Sequence, residues 1–275
     1  MTARTTTKSA YAWRPDETFF AANEVVAPAL ILQTSTVAGT VDGDTPVVRV
    51  AYVTDADAAY VSEAGTISES DPALSEVTVA TKKIAQLIKI SNEQYRQEQT
   101  ATQLARSVSR ALIKKADSDY ITSVTAPVGL ANIAGTLEAG TISTDLDGLV
   151  DLIADLESNG ANPTHIVMDP QAWAEFRKLK VGGVGTNQSL LGAGTTDAVA
   201  MLLGLPVLTS RFISPGTGVV LDRNAVVSAI GPVTVAVNEH QYFSSDSVAL
   251  RATWRIGWNI VRPNWVGSFD IGGGS

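Results

Sequence analysis

The chain has 275 residues, 45% of them hydrophobic and 17% charged, a balance that belongs to a globular protein and excludes a disordered one. It has no cysteine, which excludes disulfides, thiol catalysis and cysteine-ligated zinc. A net charge of −8 conceals a sharper pattern. No Lys or Arg lies between Arg49 and Lys82, where six acids fall, or between Lys115 and Arg177, where ten fall. The stretch from Lys82 to Lys115 instead carries eight basic residues against Glu93 and Glu98. Such segments either neutralise one another within the fold or meet across contacts between subunits, where complementary charge sets register.

The N-terminal MTARTTTKSAYAWRPDE has basic residues but no apolar stretch behind them, so it does not read as a secretory signal. Residues 1 to about 23 read as an extended arm, followed by an apolar run, Val25 to Leu32, broken at Pro28. Residues 47–53 (VVRVAYV) are β-branched and bounded by turn formers, which predicts a strand. From Thr54 to Ser75 the chain is small, polar and acidic, before EVTVATKKIAQLIKI returns as strand-like sequence. Two strands around such a segment predict a long hairpin, and a tip this poor in large apolar residues has no core of its own.

Ser91 and Gln94 have the spacing of a capping box. Behind them Ala101, Leu104, Ala105, Val108, Ala111, Leu112 and Ala116 recur at steps of three and four, predicting a long helix over about 92–124. Arg96, Arg106, Arg110 and Lys114 fall on its other face. Further on, Thr144 is expected to cap a helix with the face Leu146, Leu149, Val150, Ile153 and Leu156. His165 to Met168 reads as a buried strand, and Asp169-Pro170 as N-cap and N1 of a helix bearing Trp173, Phe176 and Leu179. A Gly-rich loop from Gly182 to Gly194, a short helix at 197–203 and a strand at 206–209 are expected next. Strands at 219–222, 225–230, 232–237 and 247–262 close the chain before a tail. The longest apolar run, Ala198 to Leu208, is broken by Gly204 and Pro206 and falls short of the ~18 residues that span a bilayer. The chain is expected to be soluble and to make no membrane contact.

No catalytic signature emerges. His165 and His240 are too few for a histidine-rich metal site, and neither lies in an H-E-x-x-H helix. GGVGTNQSLLGAG lacks both the dinucleotide fingerprint and the Gly-Lys-Ser/Thr ending of a P-loop. There is no G-x-S-x-G elbow. Paired acids such as Asp145 and Asp147, or Asp151 and Asp155, fall on solvated helix faces. The expectation is no enzyme, no catalytic residue, no metal and no cofactor.

Four passages, in order, resemble one family. VATKKIAQLIKISNEQYRQE resembles its passage from a returning hairpin strand into a spine helix, and HIVMDPQAWAEFRKLK a strand–helix of its axial domain. LLGLPVLTS resembles the next apolar step, and SSDSVALRATWRIGWNIVRPNW the closing strands. The family is the Hong Kong 97-type major capsid protein of tailed phages. The resemblance implies an α+β fold with an N-terminal arm at 1–33 and an extended hairpin loop at 47–88. It implies a peripheral domain from 34–46, 89–126 and 230–262, which includes the spine helix, an axial domain at 127–229 and a C-terminal tail at 263–275. It further implies an icosahedral shell of pentamers and hexamers enclosing double-stranded DNA without reading its sequence, built in the host bacterial cytoplasm and residing in the virion. Portal and decoration proteins would be partners. Because the arm begins almost at Met1, any scaffolding protein is expected to be a separate chain. The segment Thr54 to Ser75 between the hairpin strands has no lysine, so the covalent cross-link that the family's type member makes from a loop lysine is not expected at this position.

The charge pattern suggests where copies touch. Acids of the hairpin tip, Glu63, Glu69 and Asp71, are candidates to rest on cations of an adjacent copy. Arg251, Arg255 and Arg262 are candidate cations, as are Arg177, Lys178 and Lys180. The alternative reading is an encapsulin, a cellular shell on the same fold that packs an enzyme, and fold similarity alone does not separate the two.

Overall fold

The structure, a computed structural model, describes residues 17–20, 26, 28–41, 45–54, 60–63, 73–95, 100–142, 145–179 and 200–272. In chain order these form β1 (Glu17–Phe20), α1 (Leu30–Thr34), β2 (Thr36–Thr40), β3 (Val47–Thr54), β4 (Ala73–Ser91), α2 (Asn92–Tyr95) and α3 (Thr100–Thr122). Then come β5 (Leu137–Ile142), α4 (Asp147–Ser158), β6 (His165–Met168), α5 (Pro170–Lys178), β7 (Met201–Leu202), β8 (Leu205–Thr209) and β9 (Thr217–Leu221). β10 (Val226–Tyr242), β11 (Ser247–Ile260) and β12 (Val266–Ile271) end the series. One sheet has the order β1-β10-β11-β4-β3, with β2 also on β10; the other runs β5-β12-β9-β6-β8-β7. The fold is therefore α+β, with two sheets and few helices.

The chain divides into two compact units. The first comprises Met1–Ala27, Lys83–Lys115 and Gly231–Arg255. In it β1 pairs antiparallel with β10, Glu17 opposite Ala236 and Phe20 opposite Val233. Val233, Val248, Ala252 and Trp254 are buried, and the Trp254 indole donates to the Gly231 carbonyl at 3.1 Å, so the ring is buried with its one polar group satisfied. Of the capping box, the N-cap half is present, the Gln94 N–H donating to Ser91 Oγ at 3.4 Å. On α3, Val108 and Leu112 are buried, two of the positions that the helical period selects.

The second unit holds Pro28–Lys82, Ala116–Ile230 and Ile256–Ser275. β3 and β4 pair antiparallel from Val47 opposite Ala80 to Thr54 opposite Ala73, which is the expected hairpin. Val41, Val79, Val227 and Ala229 make a small core beside it. Where β11 passes β4, a Cβ at Gly257 would stand 2.3 Å from the Ala80 carbonyl oxygen, so only glycine lets these backbones approach. The larger core joins the two helices that follow β5 to the second sheet, through Leu149, Leu152, Leu156, Ile166, Phe176, Val220 and Phe269. Asp169 caps α5 as expected, its Oδ2 accepting from the Gln171 and Ala172 N–H groups at 3.0 and 3.3 Å, with Pro170 at the first position. No helix among the described residues is long and apolar enough to cross a membrane.

Four expectations are corrected. The helix at 197–203 does not extend over its described end: Met201–Leu202 is a strand, paired antiparallel with β8. Its turn uses positive φ at Leu203 (51°) and Gly204 (81°), the pair that a tight two-residue hairpin requires. Residues 263–275 are not simply a tail, because β12 lies between β5 and β9, parallel to the first and antiparallel to the second. Strands 225–230 and 232–237 are one strand, β10. Its residues 227–230 pair with β2 and 233–236 with β1, so on that edge Pro232 falls between the two partnered stretches. α4 begins at Asp147 rather than behind Thr144, which lies outside the described residues, and Asp145 Oδ1 accepts from the Asp147 N–H at 3.3 Å. Of the helix expected over 92–124, Asn92–Tyr95 and Thr100–Thr122 are helical, and 96–99 lie outside the described residues.

Candidate subunit-contact surface

β11 positions two of the expected cations. Alternation along the strand buries Ala252, Trp254 and Ile256 and turns Arg251, Thr253 and Arg255 to the other face. Arg251 is exposed and Arg255 half-buried. Arg262, past the end of the strand, stacks its guanidinium over the Trp265 ring at 4.2 Å. On α5, Arg177 is exposed and Lys178 Nζ lies 2.6 Å from Glu175 Oε1, an exposed pair one helical turn apart. Glu63 is exposed, next to Tyr60 and Val61, which also face solvent. Glu69, Asp71 and Lys180 lie outside the described residues, as do most of the hairpin tip and the loop from Gly182 to Gly194. Among the described residues no ion pair joins Glu63 to any of these cations.

Two features escaped sequence reasoning. Arg49 and Glu76, on the paired strands β3 and β4, form an ion pair at 3.4 Å with both side chains well exposed. Asp117 is buried on α3 and its Oδ1 accepts the Leu30 N–H at 2.8 Å. Burial pushes its carboxyl up to about 6, against the smaller lowering effect of that hydrogen bond. One turn on, the buried Tyr120 hydroxyl meets Thr34 Oγ1 at 3.0 Å, and burial raises its pKa. Its ring stands edge-on to Trp258, with centroids 5.4 Å apart.

Among the described residues no three of His, Asp and Glu come together in a way that could hold a metal ion. His165 is half-buried at the head of β6, its Nδ1 3.0 Å from Thr164 Oγ1, and burial and then Arg223 lower its pKa. His240 is exposed near the end of β10. A shallow cleft of about 240 Å³ lies between Ile142, Phe176, Leu179 and Ile271, with the Glu175–Lys178 pair at its lip. Among the described residues its lining offers a substrate no histidine, hydroxyl or thiol.

Comparison with known proteins agrees with a structural role. The chain resembles the capsid of a native GTA particle at 17% identity and a TM-score of 0.69, covering 98% of this chain and 95% of that one. It resembles a chain from Microbacterium phage Oxtober96 at 14% and 0.70, covering 98% and 96%. A chain from Gordonia phage Cozz matches at 17% and 0.68, covering 97% and 90%. At these identities the likeness establishes the fold. No curated protein matches the sequence. The sequence model of the phage capsid family matches residues 24–266, nearly the whole chain, and the protein belongs to that family.

Proposed function

We propose that the protein is the structural subunit of the icosahedral capsid of a tailed double-stranded DNA phage, that it self-assembles into pentamers and hexamers, and that it catalyses nothing. The observation that carries this reading is the end-to-end coverage of a GTA-particle capsid chain and of a phage chain by this fold, together with the family match over residues 24–266. Within the Hong Kong 97-type plan, residues 1–33 serve as the arm and 47–88 as the extended loop. The helix within 92–124 is the spine, and 34–46, 89–126 and 230–262 form the peripheral domain. The axial domain is 127–229 joined by β12, since β12 is hydrogen-bonded to β5 and β9. The shell is built in the host cytoplasm and encloses DNA without sequence-specific contacts, with a separate scaffolding protein, a portal and decoration proteins as partners.

A hairpin and an arm that cannot bury themselves gain stability by lying on neighbours, and head-to-tail contacts that close make rings. Glu63, Glu69 and Asp71 of one copy facing Arg251, Arg255 and Arg262 of the next would serve as such a contact.

Electron microscopy of the protein expressed alone and with its neighbouring genes, after sedimentation, tests the reading. Closed polyhedral shells, or five- and six-fold rings, are the expected result. A chain that stays monomeric or dimeric under both conditions overturns it. Shells that co-purify with an enzyme cargo instead of DNA would replace it by a cellular compartment on the same fold.

A further inference from the structure

Two helices of this chain carry stripes of one charge at the same spacing. On α3, Arg106, Arg110 and Lys114 stand at i, i+4 and i+8, all exposed, and no acid interrupts the helix from Thr100 to Ala116. On α4, Asp147, Asp151 and Asp155 stand at i, i+4 and i+8, all exposed, on a helix with no Lys or Arg. Among the described residues no ion pair engages either stripe. Each stripe is unfavourable within its own helix, because like charges one turn apart repel. Asp155 and Glu157 also sit in the last turn of α4, where the helix dipole favours cations. Of the six residues only Asp147, in the first turn of α4, is favoured by the dipole of its own helix.

The units that carry the stripes repeat the contrast. The first unit has twelve Lys and Arg against seven Asp and Glu, a net charge of +5; the second has eight against twenty-one, a net of −13. We propose that the basic stripe of α3 receives the acidic stripe of α4 from a second copy of this chain. Successive charges on both helices rise by about 6 Å, so two stripes lying side by side match charge for charge. Val150 and Ala154, exposed beside the acids, supply an apolar edge to the contact. Since α3 of one copy takes α4 of the next, the contact is head-to-tail, the kind that closes into rings. It rests on the capsid reading but assigns the contact to residues that reading leaves unassigned.

The natural chain has no cysteine, so paired Arg110→Cys and Asp151→Cys substitutions make a clean probe. Treated with a short bis-maleimide after assembly, the double variant should give covalent multimers in a denaturing gel, and each single variant should give none. Only monomers, or a link closed within one chain, would overturn the proposal. Charge exchange is the second measurement. Changing Arg106, Arg110 and Lys114 to Asp should lower the yield of sedimenting particles about tenfold or more, with circular dichroism unchanged. Adding Asp147→Lys, Asp151→Lys and Asp155→Lys should restore it. Failure of that rescue overturns the pairing, and particles that form normally but hold less DNA would reassign the basic stripe to nucleic acid. If the natural chain forms particles and neither probe responds, this contact fails while the capsid reading stands; a natural chain that never associates sinks both.

Discussion

Asp117 shows how a single residue ties the pH response to the fold. Its carboxyl is buried, accepts the Leu30 N–H, and acts on the Tyr120 hydroxyl one turn along α3. The folded pKa of about 6 lies above the ordinary 3.8, so between these values the native chain holds more protons than the unfolded one. The stabilising contribution is therefore complete below about pH 4 and is lost as pH rises through 6, a swing of up to about 3 kcal/mol. Asp117→Asn keeps an acceptor for Leu30 and removes the buried charge. Urea unfolding of the dissociated subunit should show that variant to be more stable than the natural chain at pH 7.5 and no more stable at pH 4. Asp117→Ala should be weaker than Asp117→Asn by about 1–3 kcal/mol, because it leaves the Leu30 N–H unsatisfied. Equal pH slopes in the natural and Asn chains would remove Asp117 as the cause. None of this was legible in KKADSDY, since the partner lies 87 positions away and only the fold brings it close.

At the scale of elements, legibility followed the strength of local signals. α2 and α5 were readable because the Ser91 and Asp169 caps and Pro170 mark their starts, and α3 because its apolar residues keep the helical period. The β3–β4 hairpin was readable from β-branched runs on either side of an acidic segment. β5 and β12 were not, because LEAGTI and VGSFDI carry little period and become strands only where β12 lies between β5 and β9. β7 was misread as helix because MLLG is a short apolar run of either kind, and its turn places Leu203 at φ 51°, where glycine or asparagine is the usual signal. Gly257 is the element-scale residue to test. Ala in its place drives a methyl into the Ala80 carbonyl and forces β11 from β4, at a cost of about 1–3 kcal/mol. A lowered unfolding midpoint with an unchanged urea slope is expected. Unchanged stability would mean that the strands part without loss.

Charge is the whole-molecule property that the sequence displays most plainly, though not which segments share a unit. The acidic hairpin and the basic stretch after it are adjacent in sequence, yet the division between units falls between Lys82 and Lys83. The proposed seat of the hairpin tip on a neighbour follows from that contrast and is tested by reversing Glu63 and Glu69 to Lys. Glu63 is exposed, so its reversal disturbs no core, and the dissociated variant should unfold at the same urea concentration as the natural chain. An exposed pair contributes only about 0–1 kcal/mol. In a closed shell, however, the same small loss recurs at every copy, and a reversed charge adds repulsion that misdirects register. The variant should therefore assemble poorly at low salt, with part of the yield regained as added salt screens the repulsion. Normal shells at low salt would mean that the acids of the tip do not read a basic neighbour, and the contact would then have to rest on backbone pairing and the apolar Tyr60 and Val61.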